Sequence, residues 1–305
     1  MSMLVDRLEA DQRPLLLDGA TGTELNRRGV DTSLPLWSAA ALLRAPDVLR
    51  QIHADYVAAG AEVITANTFR THARNLLSAG MAHRAAELTR QAVEIARDAA
   101  DGRAWVAGSQ APLEDCYCPE LVPSDNQLAD EHEQMAQHLA AAGVDAIGVE
   151  THNTIREAVA ATRAASATGL PVLVSCVCGV DGRLLSGETI AAAVSAVKPF
   201  EPMALLVNCI PADGAEAMLR ELQGGAAEIS CGVFANVGRP DPDQGWVNTD
   251  AVDPQRYADH AERWLAVGAK LIGGCCGTTP EHIRRLADVS CKMFPAGDTP
   301  RKRGG

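Results

Sequence analysis

The chain has 305 residues, enough for one large α/β domain or two ordinary ones, and its 47% hydrophobic and 22% charged content is that of a globular enzyme. A net charge of −12 argues against nucleic acid or an anionic membrane as partner, and no apolar stretch reaches membrane-spanning length. The start, Met1 to Asp18, is charged throughout and lacks a signal-peptide core, so nine cysteines point to a reducing cytoplasm, where thiols ligate metals or stay buried.

Eight short apolar runs follow one another, most of them leading into helix-like sequence. They are Leu15–Leu17, Val63–Thr65, Trp105–Ala107, Ala146–Val149, Val172–Val177, Leu205–Val207, Ile229–Ala235 and Leu271–Ile272. Near-continuous apolar strands alternating with amphipathic helices indicate a parallel sheet covered on both faces. A junction repeats: Gly60, Gly143 and Gly268 each precede a charged residue by two positions and then an apolar pair. These glycines read as left-handed helix caps. Eight strands in one unit of this length favour a single (β/α)8 TIM-type barrel over residues 1–295, with 296–305 a disordered basic tail.

A barrel collects its chemistry at the carboxyl ends of its strands. Those ends carry Asp18, Asn67, Ser109, Glu150, Cys176, Cys209, Asn236 and Cys275-Cys276. The adjacent Cys275 and Cys276 lie between glycines and make two-thirds of a thiolate zinc site, which Cys209 completes. Three sulfurs with a fourth position open describe a catalytic Zn2+; buried apolar cysteines or a vicinal disulfide are the alternatives.

The loop from Asp18 through Gly19, Thr21 and Gly22 to Glu24 lacks the lysine and spacing of a phosphate loop. Its acids suit a substrate ammonium group; the alternative is a tight turn. Glu150 in a barrel mouth requires a cation or hydrogen-bond donors, which a substrate amine or a nearby arginine supplies. The pairs Cys116/Cys118 and Cys176/Cys178 are expected to be structural or incidental, and His132 and His138 to be solvated. None of the four lysines, Lys198, Lys270, Lys292 and Lys302, ends a strand, which excludes a Schiff-base aldolase. Trp37 and Trp246 either pack in loops or face a cationic substrate.

Together these residues resemble the homocysteine S-methyltransferase family, from about Leu15 to Leu286. The resemblance lies in Leu17–Glu24, Thr65–Phe69, Val207-Asn208-Cys209, Ala235–Gly238 and Ile272–Thr278. It implies a zinc-dependent barrel that moves a methyl group onto homocysteine to give methionine. By the same resemblance Cys209, Cys275 and Cys276 hold zinc, and Asp18 and Glu150 meet the amino-acid end of homocysteine. Asn236 matches an asparagine that approaches the metal when substrate is absent. The expected substrate contacts are Asp18, Gly19, Thr21, Glu24, Asn67, Glu150 and Asn236.

Two departures bear on the donor. The betaine-using branch has tyrosine where this chain has Arg70, and the segment Gln110–Asp125 differs from the S-methylmethionine-using branch. With no length left for folate and cobalamin domains, a free small donor is expected: S-methylmethionine, S-adenosylmethionine or another sulfonium. Alternatives are methylation of another thiol or of selenocysteine, or a non-enzymatic zinc- or thiol-sensing barrel. Partners are these small molecules; the oligomeric state is not encoded in any legible pattern.

Overall fold

The computed structural model describes residues 2–295 except Val180, Pro242 and Gln244, so the expected tail lies outside the described residues. Eight parallel strands form the barrel: β1 (Leu15–Leu16), β2 (Val63–Ala66), β3 (Trp105–Gln110), β4 (Ala146–His152), β5 (Val172–Cys176), β6 (Ala204–Pro211), β7 (Ser230–Asn236) and β8 (Leu271–Gly274). Each pairs with its chain neighbour from β2 to β8, and β8 pairs with β1. A parallel bridge between Leu17 and Val63 closes the ring, with Asp18 N–H donating to the Val63 carbonyl at 3.0 Å.

Neighbouring strand residues enter different cores. Leu15, Val63, Ala107, Ala146, Leu173, Ala204, Leu206 and Leu271 fill the barrel interior. Leu16, Ile64, Val106, Ile147, Val174, Leu205 and Ile272 face outward against the helices. Because side chains alternate and both faces are dry, the strands read as unbroken apolar runs. The repeated junction holds as well. Gly60, Gly143 and Gly268 have φ of 109°, 81° and 95°, a region where a side chain is strained.

Two features had no sequence forecast. The helix Met3–Ala10 closes the amino-terminal end of the barrel, where Leu4 and Leu8 join the interior cluster. A hairpin of Gly238–Asp241 with Gly245–Asn248 follows β7. Leu4 is fully buried, so Leu4→Ala is expected to cost about 2–5 kcal/mol. Urea unfolding should show an earlier midpoint, while ligand affinity at the opposite end persists. Among the described residues no helix is long and apolar enough to cross a membrane.

Candidate active site

Two strands break register near the carboxyl end of the barrel: β4 between Val149 and His152, and β6 between Asn208 and Pro211. At these irregularities Thr151 and Cys209 adopt φ of 65° and 55°. Such backbone costs roughly 1–3 kcal/mol per residue and persists only where neighbours enforce it. Asn208 does so, its buried amide donating to the Thr151 hydroxyl at 2.7 Å. The bulge re-aims a side chain out of strict alternation, and Cys209 turns into the barrel mouth.

Cys275 and Cys276 arrive from the end of β8. Cys275 N–H donates to Ala235 O at 2.8 Å, and Cys276 N–H to the side-chain oxygen of Asn236 at 2.9 Å. Beneath them, a Cβ on Gly274 would stand 2.3 Å from Thr278 Oγ1. That hydroxyl donates to Cys275 O at 2.8 Å and accepts from Ala20 N–H, so glycine there lets the thiol loop and the first strand's loop share one brace. Tyr257 supports both strand ends from behind, its hydroxyl between the carbonyls of Ala235 and Gly273.

The result is three sulfurs together. Cys209 Sγ lies 3.5 Å from Cys275 Sγ and 3.8 Å from Cys276 Sγ, and all three fall within 4.8 Å of one another. All nine cysteines are free, which disposes of a vicinal disulfide. Sulfurs arranged tetrahedrally at about 2.3 Å from a metal stand about 3.8 Å apart, so the spacing fits an ion at their centre. The electrostatics agree. Hydrogen bonds from Cys275 and Cys276 hold Cys209 well below the ordinary thiol range, while Cys275 and Cys276 are pushed up. Three thiolates this close require a cation between them.

The sulfurs open into a cavity of about 450 Å3, within the range of small-molecule sites. Asp18, Gly19, Thr21, Asn67, Ser109 and Glu150 line it, as do Cys209, Cys275 and Cys276. Asp18 accepts from Thr65 N–H at 2.8 Å and from the Thr65 hydroxyl at 3.2 Å. Burial nevertheless raises it to about 8, and burial raises Glu150 to about 7. Asn67 donates to Ser38 O at 2.8 Å, tying the cavity wall to the loop that carries Trp37.

Several expectations need correction. Glu24 does not line the cavity: it is buried in ion pairs with Arg27 at 2.5 Å and Arg28 at 2.7 Å, because two arginines within one helical turn satisfy it. Asn236 lies behind the sulfurs rather than in the cavity wall. Its side chain joins Cys275, Cys276 and Tyr117 in holding the Cys209 thiol down by hydrogen bonding. Cys176 packs outward in the helix-facing core, as Cys178 does. Trp37 lines the cavity, whereas Trp246 sits on the hairpin with its indole N–H on Asn248.

His132 is not solvated but fully buried, with Nε2 3.3 Å from Glu157 Oε1. Glu157 also accepts from Leu113 N–H, and His152 Nε2 meets Gln110 O. With Asn153 donating to Cys116 O at 2.9 Å, this network fixes the loop after β3 over the cavity. The loop brings the residues that sequence reading missed. Cys116 lines the cavity, and the Tyr117 hydroxyl stands 3.3 Å from Cys209 Sγ. Both lie beyond the strand end in a loop, where strand-end counting does not look.

Fold and site together define a (β/α)8-barrel enzyme built around a candidate three-thiol metal centre. The chain belongs to the homocysteine S-methyltransferase family, whose profile matches residues 15–290, and it is thereby a methyltransferase. It is 33% identical to homocysteine S-methyltransferase YbgG of Bacillus subtilis over 91% of this chain and 95% of that one. A selenocysteine Se-methyltransferase of Brassica oleracea var. italica is 28% identical, over 89% of this chain and 87% of the relative. The metallated crystal form of the homocysteine methyltransferase MmuM from Escherichia coli superposes with a TM-score of 0.80 at 28% identity, covering 94% of this chain and 98% of that one.

Proposed function

We propose that this protein transfers a methyl group from a small cationic donor to the thiol of homocysteine, giving methionine, with zinc held by Cys209, Cys275 and Cys276. One observation carries the reading: three converging thiols, the buried Asp18 carboxyl and the half-buried Glu150 carboxyl share a single cavity. The thiols suit a soft divalent ion with a ligand position facing the cavity. Asp18 and Glu150, raised to about 8 and 7, form no ion pair among the described residues and suit the ammonium group of an amino acid.

A free thiol of pKa near 8.5 is only about 3% ionised at pH 7. Zinc bound at the three cysteines would keep the incoming thiol ionised, a gain of roughly 30-fold or about 2 kcal/mol. The remaining acceleration falls to the cavity, which holds the thiol sulfur and the methyl carbon in line. Such positioning supplies up to about 7–11 kcal/mol. The sulfur lone pair forms the new S–C bond, and the donor's bond to methyl breaks with its electron pair staying on the donor. The thiol proton leaves to solvent. Trp37 offers an aromatic wall to the donor's positive charge, an attraction of about 0.5–2 kcal/mol.

The test is a methyl-transfer assay with purified, zinc-loaded protein. Homocysteine, selenocysteine and cysteine compete for methyl from S-methylmethionine or S-adenosylmethionine. Homocysteine should be consumed first, and chelation should stop the reaction. Preference for selenocysteine would reassign the acceptor. Heat on titration with homocysteine but no transfer from any donor would leave a thiol-sensing barrel.

A further inference from the structure

Away from the cavity lining, four polar side chains meet where the ends of β3 and β4 pack on the helices Asp125–Ala142 and Ile155–Ser166. They are Gln110, His132, His152 and Glu157, and all four are fully buried. A ring nitrogen of each histidine and an oxygen of Glu157 fall within 4.8 Å of one another. The hydrogen bonds around them fix where the protons sit. Gln110 Nε2 donates to the carbonyls of His132 at 3.2 Å and Ala161 at 3.4 Å, which turns the oxygen of that amide away from both. His152 Nε2 is 3.2 Å from Gln110 O, and because a carbonyl only accepts, the ring proton lies on Nε2 and leaves Nδ1 as a lone pair. With Gln110 Nε2 at 3.3 Å from its Nδ1, His132 carries its proton on Nε2 and donates to Glu157 Oε1 at 3.3 Å. The same oxygen takes Leu113 N–H at 2.9 Å.

Three atoms are left over: His152 Nδ1, Glu157 Oε2 and Gln110 Oε1. Each is buried and has no hydrogen-bond partner among the described residues. All three are acceptors. A single water has two protons for three lone pairs, whereas a cation is met by all of them at once. We propose that His152 Nδ1, Glu157 Oε2 and Gln110 Oε1 hold a second divalent metal ion, of the borderline class that takes imidazole nitrogen and carboxylate oxygen together, with His132 as a positioning residue. The far side of each main ligand is anchored as a metal site requires, His152 by Gln110 O and Glu157 by His132 and Leu113 N–H. Burial pushes His152 down to about 4, so the ring is neutral and able to ligate at neutral pH.

This ion would be structural. Its ligands have no exposure, so it enters as the chain folds, and it ties β3, β4 and the helix Ile155–Ser166 together at the root of the loop that carries Tyr117. None of the four residues lines the cavity, and the inference holds whether or not the methyl-transfer reading does.

The experiment counts zinc. Full-length protein is unfolded in urea with a chelator, refolded with Zn2+ and freed of excess metal by gel filtration. Wild type should hold about two zinc ions per chain, and C275A/C276A, which lacks the thiol centre, about one. Chelator added to the folded wild type should remove the ion that faces the cavity and spare the buried one until the chain is unfolded. X-ray absorption at the zinc of C275A/C276A should show nitrogen and oxygen neighbours at about 2.0–2.2 Å and no sulfur. Adding E157Q or H152Q to C275A/C276A should bring its zinc close to none, with thermal unfolding confirming that each variant is folded.

A folded C275A/C276A that holds no zinc overturns the inference, for the cluster then holds water alone. Zinc that persists after both E157Q and H152Q is an adventitious surface ion and overturns it equally. If both of those variants fail to fold, the chelator-resistant zinc of C275A/C276A and its sulfur-free spectrum decide: their presence upholds the site and their absence ends it.

Discussion

Cys275→Ala should leave a folded barrel that holds little metal at the thiols and transfers methyl at least about 10^4-fold more slowly. Two terms set that size. Loss of thiol ionisation accounts for roughly 30-fold, and loss of a fixed position for the nucleophilic sulfur accounts for more. Cys275 lies at the carboxyl end of the barrel in the wall of an existing cavity, so its removal enlarges that cavity rather than hollowing the apolar interior around Leu15 and Leu271. The measurements are metal content by elemental analysis, activity with homocysteine, and thermal unfolding beside wild type. An active Cys275→Ala enzyme free of metal would end the assigned role. A collapse of the unfolding transition would show instead that the centre is structural.

Asp18→Asn is expected to separate binding from stability. The carboxyl sits at about 8 in the folded protein, against an ordinary 3.8, because burial penalises its charge. The sign follows from proton binding. Between those values the folded state holds a proton that the unfolded state has lost, so stability falls as pH rises from about 4 to about 8. Asparagine removes that penalty and retains both partners, its oxygen facing Thr65 N–H and its amide facing the Thr65 hydroxyl.

The variant should therefore unfold later than wild type at pH 8, by roughly 1–2 kcal/mol, with the difference shrinking toward pH 4. Its KM for homocysteine should rise about 10- to 100-fold, because an ammonium group loses a charged partner. In wild type the same carboxyl predicts that homocysteine KM falls as pH climbs from 6 to 8, and that the trend flattens in Asp18→Asn. A variant with unchanged KM across that range would remove Asp18 from the acceptor site.

The barrel was legible because its signals are local. Each strand is a short apolar run and each return is marked by a glycine such as Gly143, whose left-handed φ of 81° follows from the helix ending there. The paired thiols of Cys275 and Cys276 were equally open to reading, since cysteines between glycines at a strand end have few other uses. Glu24 misled because a carboxylate near a glycine-rich loop looks the same whether a substrate or the neighbouring Arg27 and Arg28 neutralises it. His132 misled for a related reason. Its helix is polar by composition, and the approach of Glu157 from the next helix and of Gln110 from β3 gives the imidazole its buried partners.

What the sequence determined unaided was the list of parts: eight strands, their order, and sulfurs and carboxyls at strand ends. Hydrophobic period and turn chemistry act over a few residues, so they are written in the chain itself. What the tertiary structure decided was aim. The register break that turns Cys209 inward and the loop that lays Tyr117 against its sulfur both depend on contacts between residues far apart in the chain. Those contacts carry no local periodicity, and closure of the ring is what brings them into being.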